Sequence, residues 1–211
     1  MKAKILFVTL VLFGYNALVQ GDLVWDSGHH EYSEGEEGFL YMHNDASVDM
    51  TGGKIYEFYM YNNTTANIDG GYVGILWGQN TSSVDVYDGS EVDVLRPNDS
   101  SVANVYGGEI NTVFVLGNGI ANVYEASLNY ISASNDGEVN LYVQYYDYDP
   151  AGSDIGKGLL TGAWLDSGNS FSINIISPNT LDHINYIPEP TMLYIFIIGG
   201  MSIINKNRVK T

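Results

Sequence analysis

The chain has no cysteine, and its eight lysines and arginines face 25 aspartates and glutamates, a formal net charge of −17 over 211 residues. Without cysteine there is no disulfide to staple the fold and no thiolate to hold zinc, so stability has to come from packing. The shortage of basic residues excludes nucleic acid, anionic membrane surfaces and other polyanions as direct partners, since contact would add repulsion instead of releasing counterions. Nucleophile-elbow patterns, Walker loops, zinc-ligand spacings and EF-hand loops are also missing, and with them the chemistries those motifs support.

What is present is repetition. Val48-Asp49-Met50, Ala66-Asn67-Ile68, Val84-Asp85-Val86, Ala103-Asn104-Val105, Ala121-Asn122-Val123 and Val139-Asn140-Leu141 follow one pattern. Its central residues, Asp49, Asn67, Asp85, Asn104, Asn122 and Asn140, recur at intervals of 18, 18, 19, 18 and 18. A turn pair comes three residues later, at Gly52-Gly53, Gly70-Gly71, Asp88-Gly89 and Gly107-Gly108, degenerating to Glu125-Ala126. Apolar residues follow at Ile55, Val73, Val92, Ile110 and Leu128, and again three further on at Phe58, Leu76, Leu95, Val113 and Ile131. The single interval of 19 is explained by one extra residue within Asp88-Gly89-Ser90-Glu91.

A fixed period near 20 residues with apolar positions in register means stacked supersecondary units. Apolar, Asp or Asn, apolar is the alternation of a strand with one face inward, and the glycine pairs supply positive φ for a tight corner. One coil cannot bury its own apolar face, but a stack can. The expected fold is therefore all-β: a single parallel β-solenoid of about six 18-residue coils over 40–145, right-handed by the general crossover preference. Left-handed hexapeptide solenoids share the coil length, but no clean six-residue sub-period is present. Residues 22–39, where Glu31 lies eighteen residues before Asp49, between His30 and Tyr32, and Glu34-Gly35 follows, read as an N-terminal cap in the form of a polar, degenerate first coil ending at Leu40. Residues 146–187, with Trp164, Phe171, Ile173 and Ile175, read as a β cap at the other end.

Enzyme chemistry finds little support in these residues. Parallel β-solenoids include polysaccharide lyases, which combine clustered carboxylates on Ca²⁺ with a basic proton abstractor. The repeats offer only Lys54 and Arg96, and Arg96, followed by Pro97-Asn98-Asp99, reads as a solvated turn residue. His29 and His30, near Glu31 and Glu34, point to opposite faces of a strand and so are not expected to share a metal. His43 and His183 are isolated, and the Gly-Gly corners lack the Gly-x-Asp continuation of calcium-binding nonapeptides. No catalytic residue, metal ligand or cofactor is expected. The Asn-x-Ser/Thr triplets at Asn62, Asn63, Asn80 and Asn98 mark exposed loops. Tyr142, Tyr145, Tyr146 and Tyr148 read either as a sugar-stacking platform or as aromatic cover for the end of the core.

The two ends of the chain carry five of the eight basic residues. Lys2 and Lys4 precede the apolar run from Ile5 to Phe13, and Val19 and Gly21 are small or compact residues at the right distance for cleavage between Gly21 and Asp22. Residues 1–21 therefore read as a secretory signal peptide. At the other end Pro188-Glu189-Pro190 is followed by an apolar stretch over 191–204 and by Lys206, Arg208 and Lys210. As a helix that stretch covers only about 21 Å, short of a ~30 Å hydrocarbon core, and the basic residues after it would stay cytoplasmic.

Over its last 24 residues (188–211) the chain resembles the PEP-CTERM sorting signal of Gram-negative bacteria. The resemblance implies export by the secretion machinery and signal peptidase, transient anchoring in the inner membrane by the tail, and cutting near the triplet by an exosortase-type sorting enzyme. It also implies association with extracellular polysaccharide. The function expected is that of an exported, surface-sorted, non-catalytic structural or adhesive protein of the cell surface or biofilm matrix. A carbohydrate-binding module and, less favoured, a β-helix polysaccharide lyase are the alternatives.

Overall fold

In a computed structural model, residues 22–188 are described, apart from Asp154 and Gly156. The segment 1–21 expected to be a signal peptide, including Gly21, and Glu189, Pro190, the apolar segment 191–204 and Lys206, Arg208 and Lys210 lie outside the described residues. The fold is an all-β parallel solenoid of about seven turns at a spacing of about 18 residues.

The described residues form seventeen strands, numbered in chain order, nearly all of which alternate between two parallel sheets. The short-strand sheet stacks β2 (His29–Tyr32), β4 (Ser47–Met50), β6 (Thr65–Ile68), β8 (Ser83–Val86), β10 (Val102–Val105), β12 (Ile120–Val123), the start of β14 (Glu138–Asp149) and β17 (Ile184–Ile187). The long-strand sheet stacks β1 (Leu23–Trp25), β3 (Glu36–Met42), β5 (Lys54–Met60), β7 (Gly71–Gly78), β9 (Ser90–Pro97), β11 (Glu109–Val115), β13 (Ser127–Ala133) and β16 (Ser170–Ile175). An antiparallel partner, β15 (Leu159–Trp164), then joins β16 to the far end of β14, which thereby belongs to both sheets.

Residues 22–39 continue the register of the coils: Leu23 pairs with Leu40, and His29 with Ser47. The stack is thus one turn longer than the six central Asp and Asn residues mark out.

Strict alternation makes each short strand one-faced, so Val48 and Met50 point in while Ser47 and Asp49 point out. The long strands bend. Ile55 and Phe58 are both fully buried with two outward residues, Tyr56 and Glu57, between them, and the pairing skips Tyr56 and its counterparts Gly74, Asp93, Asn111 and Asn129. The core consists of columns such as Leu40-Phe58-Leu76-Leu95-Val113-Ile131 and Met50-Ile68-Val86-Val105-Val123-Leu141, almost all without solvent exposure. At the C-terminal end Trp164 packs on Phe171, ring centroids 4.6 Å apart, over Ile173 and Ile175. Buried Thr180 accepts the Ala133 N–H and ties the closing 3₁₀ turn to β13.

Two corners close each coil. The first uses glycine: Gly71 has φ +83, and a Cβ there would stand 2.7 Å from the Gly53 carbonyl oxygen of the coil below. The extra residue of the third repeat falls in this corner, where Ile68 pairs with Val86 but Gly71 pairs with Ser90. The second corner places Asn44, Asn62, Asn80, Asp99 and Asn135 in the left-handed region at φ 55 to 62, with Gly117 taking the same place at φ 59. Asn and Asp are the non-glycine residues that tolerate this region best.

Candidate functional site

The periodicity organises the outer surface of the short-strand sheet into side-chain ladders. Asp49, Asn67, Asp85, Asn104, Asn122 and Asn140 lie in register on successive strands, and pairing extends the column to Glu31 at one end and Asn185 at the other. Each amide reaches toward the N-terminal end of the stack. Asn185 donates Nδ2–H to Asn140 Oδ1 at 2.9 Å, Asn140 to Asn122 at 2.7 Å, Asn122 to Asn104 at 2.8 Å, and Asn104 to Asp85 at 2.7 Å. Asp85 has no N–H to pass on, so the chain of bonds restarts where Asn67 donates to Asp49 at 2.8 Å. Asp49 also lies 3.5 Å from His29 Nε2.

A second ladder runs beside the first, two residues further along each strand. Tyr87, Tyr106, Tyr124 and Tyr142 stack with centroids 5.3, 4.9 and 4.1 Å apart and ring planes within 20°. Interaction with the Tyr142 hydroxyl first, and burial second, push the Tyr124 phenol up to about 12. Burial likewise raises Tyr87 and Tyr106, with Asp85 adding to the effect. The sequence signal for this column is its spacing of 19, 18 and 18, the same as its Asp/Asn neighbour.

The long-strand sheet carries an aromatic comb. Tyr41, Tyr59 and Trp77 follow one another with centroids 5.2 and 5.8 Å apart, and the Arg96 guanidinium comes next, 4.1 Å from the Trp77 ring and 5.1 Å from Phe114. The solvated turn expected for Arg96 is therefore corrected: strand β9 runs through it to Pro97, and the planar cation lies between two rings. Trp77 Nε1 and Arg96 Nε are both buried without a hydrogen-bond partner, so stacking is what holds the group. Lys54 is similarly engaged, its ammonium 4.6 and 4.8 Å from the Tyr56 and Tyr72 rings.

The remaining candidates separate. His29 bonds Ser47 and faces Asp49, while His30 stacks on Trp25 at 4.3 Å and bonds the Ser27 carbonyl. The four C-terminal tyrosines form no common platform: Tyr142 ends the tyrosine ladder, Tyr146 stacks face to face on Tyr186 at 3.5 Å, Tyr148 packs against the core, and Tyr145 is exposed. Asp22 and Pro188, at the limits of the described residues, are exposed.

Concave sites are small and open. Asp49, Thr51, Asn67, Asp69 and Tyr87 line about 290 Å³, and Val143, Gln144, Tyr145, Tyr146, Tyr186 and Pro188 line about 430 Å³ at the C-terminal end. Among the described residues no three His, Asp or Glu side chains converge as metal ligands, and no helix is long and apolar enough to cross a membrane. Compared with protein-family models, with curated proteins and with solved structures, the chain matches none.

Proposed function

We propose that the protein is an exported, non-catalytic structural or adhesive element of the cell surface or of an extracellular polysaccharide matrix. The observation that carries this reading is the pair of ladders on the short-strand sheet, where amides and phenols recur once per coil across an extended surface. A surface built by repetition offers many equivalent weak contacts, as adhesion requires, and effective concentration turns those into avidity. Catalysis instead needs a few unlike groups converging on one reacting atom. The charged start of the chain, the cleavage point between Gly21 and Asp22 and the Pro188-Glu189-Pro190 tail support export and sorting. In this reading the tail holds the chain in the inner membrane until an exosortase-type enzyme cuts it.

Fractionating cells that produce the protein tests the proposal. It is expected in the surface and matrix fractions, and a deletion strain is expected to form a less cohesive matrix. A protein confined to the cytoplasm, or one that degrades acidic or neutral glycans, would contradict it.

A further inference from the structure

Between Asp85 and Glu138 the outer face of the short-strand sheet carries no charged side chain, in a chain whose net charge is −17. Three columns cross this strip: Val102 and Ile120, then Asn104, Asn122 and Asn140, then Tyr106, Tyr124 and Tyr142. Each ladder amide gives one N–H to the coil below at 2.7–2.8 Å. A primary amide has a second N–H and its oxygen a second lone pair, and these remain for an outside partner. The stacked tyrosines cover one another's faces, so they offer ring edges and hydroxyls; Tyr106 is 42% exposed. The strip therefore repeats one donor, one acceptor and one phenol at the strand spacing of about 4.8 Å.

We propose that this strip binds a single neutral, β-1,4-linked hexose chain, extended along the solenoid axis. The inference rests on the surface reading above and names the ligand class and the face that meets it. Three properties select the occupant. An extended chain of this linkage advances per sugar by a length close to the strand spacing of about 4.8 Å, and because each sugar is turned over relative to the last, every second rung meets the same sugar edge. Its hydroxyls donate and accept, matching an amide and a phenol at each rung, while Val102 and Ile120 meet the C–H face of the sugars. The chain's negative charge repels polyuronates and sulfated glycans and leaves neutral ones unopposed. Contact through ring edges and amides is weak per sugar, so affinity accumulates along the three coils from Tyr106 to Tyr142.

Titration calorimetry of the mature protein with β-1,4-linked gluco- and manno-oligosaccharides of increasing length, with oligouronates beside them, provides the test. The dissociation constant of at least one neutral series is expected to fall tenfold or more from the disaccharide to the tetramer and to change little beyond. Oligouronates are expected not to bind. Tyr106→Ser and Asn122→Ser should each weaken binding about tenfold with the fold intact by circular dichroism, and Tyr59→Ser, on the other sheet, should leave it unchanged. Absence of binding to both neutral series, equal binding of oligouronates, no dependence on length, or equal loss in Tyr59→Ser would overturn the inference. So would a dimer that Tyr106→Ser dissociates, since the strip would then be covered by a second copy. A surface-located protein that binds neither series would overturn this inference alone, whereas a cytoplasmic protein that binds would overturn the surface reading alone.

Discussion

Asn67 gives its side-chain N–H to Asp49, one coil below, at 2.8 Å. That bond separates two carboxylates of the same column, because Asp85 lies on the strand above. From Asp49 to Asp85 the column alternates acid and amide, and it becomes all amide from Asn104 onward. Repulsion is confined to the N-terminal coils, where Glu31 pairs with Asp49 and His29 lies 3.5 Å away.

Asn67→Asp should therefore destabilise more than Asn122→Asp. The first puts a carboxylate between Asp49 and Asp85 and completes an unbroken run of four that starts at Glu31, at about 4.8 Å, each new contact costing about 1 kcal/mol in water-like surroundings. The second meets only Asn104 and Asn140, and a carboxylate there still accepts from Asn140. Urea unfolding at neutral pH and low salt compares them. The difference should close near pH 3, where most carboxylates are protonated, and shrink with added salt.

Val105→Asp should disrupt folding where Asn104→Ala does not. Val105 has no solvent exposure and sits in the inner column between Val86 and Val123, so an unpaired charge there costs several kcal/mol. Asn104→Ala removes two partly exposed hydrogen bonds, the one it donates to Asp85 and the one it accepts from Asn122, each worth about 1 kcal/mol. Equal urea midpoints would contradict the inward and outward assignment.

Gly71→Ala and Gly89→Ala separate backbone strain from crowding. Both glycines have positive φ, +83 and +89, so each substitution meets the left-handed cost of roughly 1–2 kcal/mol. A Cβ at Gly71 also collides with the Gly52 and Gly53 backbone at 2.7–2.8 Å, whereas nothing lies within 4 Å of one at Gly89. Thermal unfolding should show the larger loss, by at least twofold, for Gly71→Ala.

Arg96→Lys should lose stability although the charge is kept. The flat guanidinium fills the space between Trp77 and Phe114, and an ammonium does not stack. A loss of about 1 kcal/mol, with a change in tryptophan fluorescence, is expected. An unchanged midpoint would mean that the stack contributes nothing.

Alkaline pH should unfold the protein through its tyrosines. Tyr59 and Tyr72 are pushed up to about 12, first by hydrogen bonds to Glu57 and Asp93, and Tyr186 to about 12, first by burial. A phenol raised above its ordinary value of about 10 keeps in the folded state a proton that the unfolded state releases. That contribution is whole below about pH 10 and disappears as pH rises through about 12. Tyr59→Phe should flatten the decline between those values. A decline that begins near neutral pH would contradict the assignment.

The parts of the fold legible in the sequence are those where one residue has one job. The Asp/Asn column is readable because every short strand alternates strictly, and the corner glycines because the corner requires a positive φ. The second corner was hidden, since Asn62 and Asn80 sit in Asn-x-Ser/Thr triplets that suggest exposure and say nothing of the left-handed backbone they supply. The tyrosine ladder is hidden in the sequence because Thr51 and Asp69 occupy its first rungs and break the pattern. The place of Arg96 is hidden because Pro97-Asn98-Asp99 looks like a turn beginning one residue later, and stacking between Trp77 and Phe114 depends on coils that are distant in sequence.

The most direct test of the central claim is an intact-mass measurement on the protein recovered from the surface or matrix of producing cells. A chain that begins at Asp22 and ends near Pro188-Glu189-Pro190 is the expected result. A surface form that still carries Lys206 to Lys210 would contradict sorting by the tail, and a cytoplasmic chain running from Met1 to Thr211 would contradict export altogether.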